Sequence, residues 1–460
     1  MINKPEASAL AKPPYYPQGL VTPTMPDSLD IQLQNQTNSD RVWAYITGIA
    51  ISNGQRVLLK ANGRDLYYPQ QVSQIGSPLT EDCAIPLGPP GNTVSVHIPQ
   101  IAGGRVWFSC DRQLTFLLNP GPALVEPSVL NPSDANAGVN FGFAEFTLNN
   151  DQLFANISYV DFVSRLPIAL TLETSGGGVQ HVSGMGPDGI DKICEGLRAQ
   201  TRKDGRPWDK LIVQPQGQPV LRVLNPTHGD AVGASFAGYF ETYIDEVWKR
   251  YSAHHGRCQM RINTQAAAGT VAGSVNHKDE LVFGDEAFQK PTTADVLGCN
   301  SGPFTTGPSA YRNSVIPRLA AAFQRSAAGE GVDEHPSDPS TFYRRDPTNH
   351  YCRIVHDANL DGKGYAFAYD DVQPDGGADQ SGKVNAGDPK TFIVAVGGNN
   401  AYAGDHMHPQ AASAGEVRNV PHHSPPAVPA GRPGQSQEQN HTKESRLSRL
   451  SAKAQKWLQR

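Results

Sequence analysis

The sequence contains no Cys-x-x-Cys pair and no His-Glu-x-x-His, so it offers no zinc ribbon, no thioredoxin-type redox motif and no zincin site. Positive charge is in deficit: 39 Lys and Arg stand against 44 Asp and Glu, a net charge of −5. A chain without a basic surplus lacks what phosphate-backbone binding requires, and nucleic acid is not an expected partner. No apolar run is long enough to cross a bilayer, which excludes a transmembrane segment. Residues 1–26 hold six prolines and no apolar stretch of the kind a secretory leader needs, so no signal peptide is visible.

What is present is turn chemistry around short β-prone runs. The 45 glycines and 37 prolines punctuate segments rich in Val, Ile, Phe and Thr, which predicts a mainly β protein. A hydrophobic content of 38% suffices for a sizeable core. Six cysteines, Cys83, Cys110, Cys194, Cys258, Cys299 and Cys352, leave disulfides and buried thiols equally open.

Strand signals dominate the first part of the chain, at 30–35, 41–49, 56–59 and 94–98, separated by turns such as Asn62-Gly63. Their regular spacing favours a sandwich or barrel. Past Gly176-Gly177-Gly178 the period changes. Ile190, Ile193, Cys194 and Leu197 fall at helical spacing, 211–213 and 220–223 read as strands, and helices are expected over 239–251 and 314–326. Pro317 is placed near the start of the second of these helices, where a missing N–H is tolerated. After residue 349 strands are expected again, at 365–369 and 391–396. Beyond Met407 apolar residues almost vanish, which predicts a disordered tail ending in a short basic amphipathic helix.

The stretch with chemical content runs from Phe141 to Val163 and reads as two strands joined by an Asn/Asp turn at Asn149-Asn150-Asp151. Alternation puts Glu145, Thr147 and Asn149 on one face and Ala144, Phe146 and Leu148 on the other. An acid with two hydrogen-bonding neighbours could line a cleft, but local pattern alone favours the solvated face of an ordinary antiparallel strand, the commonest fate of alternating polar positions. On the second strand Asp161 is in phase with Ile157, so the two carboxyl groups meet only if the strand bends or bulges near Tyr159.

The elements Ala144-Glu145-Phe146-Thr147, Asn156-Ile157-Ser158-Tyr159-Val160-Asp161-Phe162 and Leu166-Pro167 resemble glycoside hydrolase family 64, the laminaripentaose-producing β-1,3-glucanases. The resemblance extends to Gly104-Arg105-Val106-Trp107-Phe108, to Asp204 through Trp208, to Val355 through Gly362 and to Tyr365 through Val372, covering roughly residues 28–402. It implies a thaumatin-like β-barrel or sandwich lobe and a mixed α/β lobe with a wide cleft between them. The corresponding division is an extended segment at 1–27, the β lobe at 28–178, the α/β lobe at 179–345, strands returning to the barrel at 346–405 and the tail at 406–460.

The same resemblance implies an endo-acting, inverting β-1,3-glucanase, with Glu145 as general acid and Asp161 as general base. Thr147, Asn149, Phe154 and Ser158 would contact sugar, with Phe154 standing where the family often has tryptophan. Asn156 is a structural or sugar-binding amide. Inversion needs room for a water, hence carboxyl groups about 6.5–9.5 Å apart. A raised pKa at Glu145 is expected from Phe143 and Phe146 beside it. The expected partner is β-1,3-glucan. No cofactor or metal is expected, the protein is expected to be a monomer, and the family implies an extracellular location. The alternative is a non-catalytic thaumatin-like glucan-binding protein.

Other signals are weaker. Asp357 through Gly362 begins like a calcium loop but lacks the closing glutamate, since Ala368 stands there, and is expected to be a turn. Asp370 and Asp371 are ranked as structural acids. Asn35-Gln36-Thr37, Asn156-Ile157-Ser158 and Asn440-His441-Thr442 fit glycosylation triplets. His254-His255 and the pair His406 and His408 have no evident third ligand.

Overall fold

The structure, a computed structural model, describes residues 25–252, 258–329 and 331–397. The segment expected at 1–27 (apart from 25–27), the tail at 406–460 with its Asn440 triplet, and His254, His255, His406 and His408 lie outside the described residues.

Two large sheets form the β-rich part. One has five strands in the order Val179–Val182, Ile168–Thr174, Pro389–Val396, Ser28–Asn35 and Thr93–Pro99. The late strand Pro389–Val396 lies between two early ones, parallel to Ser28–Asn35 with Ile31 opposite Phe392, and antiparallel to Ile168–Thr174. The other sheet runs Lys383–Ala386, Leu153–Ile157, Asn140–Leu148, Ile101–Cys110, Val42–Ala50, Arg56–Leu59 and Leu66–Tyr67, with Ile85–Pro86 paired to Val42–Ala50. Neither sheet closes on itself, so this part is a mixed β-rich fold without a closed barrel. Ile31, Leu33, Leu170 and Val394 of the first sheet and Ala144, Phe146, Leu148 and Ala155 of the second join one buried cluster. Burying each such Leu, Ile, Val or Phe stabilises the fold by roughly 1.5–3 kcal/mol relative to exposure.

A separate three-stranded sheet is formed by Ala123–Val125, Leu117–Asn119 and Ser77–Pro78, and the remainder mixes helices with a three-stranded and a five-stranded sheet. Phe162–Ser164, Arg222–Leu224 and Ile212–Val213 form one of them, and it directly continues the chain that leaves the larger sheet. Helix Gly189–Asp204 buries Ile190, Ile193, Cys194 and Leu197, and helix Glu241–Arg250 buries Tyr243, Ile244, Val247 and Trp248, as the helical spacing predicts. The expected 314–326 helix in fact spans Ala310–Gln324, because the Ser309 side chain caps it by accepting the Arg312 N–H. Pro317 is therefore interior, and its cost is met by burial of every residue from Val315 to Gln324.

Two strand expectations fail. His350–Ala358 is a helix, capped by the Asn349 side chain on Cys352 N–H, with Tyr351, Cys352, Ile354, Val355 and Ala358 buried at helical spacing. Residues 365–369 form a turn with a single bridge from Tyr365 to Ser158. The 391–396 strand is present within Pro389–Val396. All six cysteines are free thiols. Among the described residues no helix is long and apolar enough to cross a membrane.

Candidate active site

The hairpin forms as its alternation predicts. Asn140–Leu148 and Leu153–Ile157 pair with Glu145 opposite Asn156 and Thr147 opposite Phe154. The turn is closed by Asn149, whose Oδ1 accepts the N–H groups of Asp151 and Gln152, both at 2.9 Å. Neighbouring strands extend one transverse row on the same face: Thr47, Arg105, Glu145, Asn156 and Lys383. Phe154 is half-buried in the next row, with the Lys383 ammonium 5.8 Å from its ring. Thr147 accepts the Gly103 N–H at 3.3 Å.

Glu145 keeps 35% of its side chain accessible, yet protein surrounds the rest of it. Burial raises its pKa above the ordinary carboxylate value; Arg105 opposes this, the charge of Asp161 adds to it, and the Ser158 hydroxyl opposes it. Of the two flanking phenylalanines only Phe143 shares this face. Phe146 points to the opposite side, packed so closely on Gly104 that a Cβ there would stand 2.5 Å from its ring. The Arg105 guanidinium lies 4.8 Å over the Phe143 ring, donates to Glu145 Oε1 at 3.4 Å and to Glu126 Oε2 at 2.9 Å. Thr47 donates to the other oxygen of Glu126 at 2.7 Å and accepts from the Trp107 indole at 3.0 Å. The cation is thus fixed before it reaches Glu145.

The phase problem on the second strand is solved by a break. Pairing with the large sheet stops at Ile157, Ser158 bridges Tyr365, and pairing resumes at Phe162 on a different sheet. Tyr159 anchors the break: its N–H donates to Tyr365 O at 2.9 Å, its carbonyl accepts the Tyr351 hydroxyl at 2.6 Å and its own hydroxyl donates to Asn359 at 3.2 Å. Asp161 emerges from this break with 28% of its side chain accessible and its Oδ1 3.0 Å from His228 Nε2. Burial pushes its pKa up, but the hydrogen bond and charge of His228, together with Arg105, hold it below the ordinary value.

Glu145, Asp161, Asn156, Ser158, Thr147 and Phe154 therefore gather at one place, with Asn149 at the hairpin end serving the turn. Asn156 is only 5% accessible, and its Nδ2 has no hydrogen-bond partner among the described residues. Three neighbours went unassigned in the sequence. Arg105 stood only within a matching motif, Glu126 had no signal, and His228 meets a partner 67 residues away that no local pattern links to it. Asp370 is structural: buried, it receives Arg325, His356 and the Ala366 N–H. Asn35 is fully buried and donates to Ser39 O and Gly88 O, which rules it out as a glycan acceptor. Of the residues expected to form a turn, Asp357 and Ala358 are the last of the helix His350–Ala358, Asn359 caps it, and residues 360–362 make the turn.

Two neighbouring carboxyl groups, one with its pKa raised and the other with its pKa lowered, are the equipment for proton donation on one side of a bond and water activation on the other. The sequence profile described as β-1,3-glucanase matches residues 27–396. A glucan endo-1,3-β-glucosidase of Cellulosimicrobium cellulans is 30% identical over 66% of this chain and 53% of its own length. Another from an Arthrobacter species is 29% identical over the same shares. The chain thus spans about half the length of the curated relatives it matches. A laminaripentaose-producing β-1,3-glucanase solved in complex with laminaritetraose superposes with a TM-score of 0.71 at 28% identity, covering 81% of this chain and 99% of the other. A β-1,3-glucanase domain from Clostridium beijerinckii, at 24% identity and a TM-score of 0.63 over 82% and 100% of the two chains, shares the fold.

Proposed function

Since the chain belongs to the β-1,3-glucanase family, glycoside hydrolase family 64, we propose that it hydrolyses β-1,3-glucan internally by an inverting acid/base mechanism. Glu145 protonates the glycosidic oxygen, which is a poor leaving group until it is protonated. Asp161 removes a proton from a water that attacks the anomeric carbon from the opposite face. The observation that carries this reading is the divergence of the two acids: burial raises Glu145, while His228 and Arg105 hold Asp161 down. Thr147, Phe154, Asn156 and Ser158 would receive the sugar, with the unpartnered Asn156 amide as a donor to its hydroxyls.

The enzyme acts as a monomer and outside the cell, where polymeric glucan lies, with the β-rich part at 28–178 and the α/β part at 179–345 flanking the substrate. Reducing-end release from laminarin separates this reading from a glucan-binding protein. Glu145→Gln and Asp161→Asn are each expected to lower kcat by about 10²–10⁴-fold while retaining glucan binding. Wild-type kcat in either variant removes that residue from its role. Proton NMR of the first products should show the α-anomer; initial release of the β-anomer would contradict inversion.

A further inference from the structure

Asp161 is gripped by a residue that the acid/base chemistry does not itself demand. His228 stands on the short 3-10 helix Pro226–Val232, whose first turn is capped by Asn225: the Asn225 side chain accepts the Thr227 N–H at 3.0 Å and donates to Ala366 O at 2.9 Å. The same Asn225 donates its backbone N–H to the Asp161 carbonyl at 3.0 Å and accepts the His228 N–H at 2.9 Å. Its predecessor Leu224 pairs with Phe162, the successor of Asp161. Imidazole and carboxylate therefore hang from two backbone segments bonded to each other at Asp161 itself and, on the other side, at Asn225, three residues before His228 and tied to it by the His228 N–H. The imidazole is only 16% accessible, so its Nε2–H has little choice of acceptor.

A carboxylate rotates broadly about its last torsion, whereas a general base must present a lone pair in a fixed direction to one water. We propose that His228 is a positioning residue for the reaction: its Nε2–H fixes Oδ1 of Asp161, so that Oδ2 takes the proton of the attacking water. The water's O–H bond breaks toward Oδ2 as its oxygen bonds the anomeric carbon, Glu145 gives its proton to the departing oxygen, and His228 keeps its own proton throughout. The inference rests on Asp161 being the base. The charges that bear on Asp161 are His228 from the 3-10 helix, Arg105 from Ile101–Cys110 and Glu145 from Asn140–Leu148.

The test compares His228→Gln, which retains an N–H donor, with His228→Met and His228→Ala, which do not, on laminarin, with folding checked by circular dichroism. The loss variants should lower kcat by about 10- to 100-fold, less than removal of a base, leave KM nearly unchanged, and move the acid limb of kcat/KM to higher pH. His228→Gln should recover most of kcat. The comparison is read on whichever of the Met and Ala variants folds. A folded loss variant with wild-type kcat and an unmoved acid limb overturns the inference, as does a His228→Gln variant no better than it. Inactive wild-type protein, or an Asp161→Asn variant as active as wild type, instead overturns the functional reading itself.

Discussion

Arg105 touches one of the two acids and bears on both. It lowers the pKa of Glu145 through charge and a hydrogen bond, and that of Asp161 through charge alone. In the proposed mechanism Asp161 must be ionised, so rate is lost as pH falls through its depressed pKa, and Glu145 protonated, so rate is lost as pH rises through its elevated one. Arg105→Gln should therefore displace both limbs of the kcat/KM profile to higher pH. A profile that keeps wild-type limbs, measured on laminarin, would mean that the cation serves only the sheet. The face on which Glu145 lies was legible because strand alternation is local, but its role came only through the family resemblance. Asp161 was legible only through its motif, since its geometry depends on Tyr159 being tied to Tyr365, Tyr351 and Asn359, all far along the chain.

The hairpin is the element that carries the acid, and its turn separates two roles for Asn149. Family resemblance assigns Asn149 to sugar, whereas its Oδ1 is engaged by two turn N–H groups. Asn149→Ala should cost about 1 kcal/mol of stability, read as a fall in Tm, and Asn149→Asp, which keeps the acceptor, should restore it. If the aspartate variant is as unstable as the alanine, the turn bonds are not what Asn149 contributes. On the adjoining strand, Gly104→Ala sets a methyl against the Phe146 ring and should cost about 1–3 kcal/mol; an unchanged Tm would show that the ring moves aside freely. This hairpin was readable because alternation and turn chemistry agree over consecutive residues. The helix His350–Ala358 lies in a stretch expected to return as strands but matched to no particular one; its apolar positions are dense enough to suit either period, and the Asn349 cap decides between them.

For the molecule as a whole, buried histidines link stability to acidity. His335 is fully buried, neither ring nitrogen has a partner among the described residues, and burial lowers its pKa to about 4. Because the unfolded chain takes up this proton first, stability is complete above the unfolded value of about 6.5 and declines as pH falls from there toward 4, by on the order of 3 kcal/mol. Urea unfolding of His335→Leu should show a shallower loss over that interval than wild type, and parallel slopes would refute the linkage. His350, at the start of the helix His350–Ala358 and also lowered to about 4 by burial, contributes in the same direction, while His356, raised by Asp370 against its burial, runs the other way.

The position of Pro389–Val396 in the middle of its sheet also fixes an order of events. Until that strand emerges from the ribosome, Ser28–Asn35 and Ile168–Thr174 have no neighbour to share, and each is left with an open row of backbone groups. This sheet is therefore completed only when a late segment inserts between two early ones, and until then two unpaired edges stay open to wrong pairing.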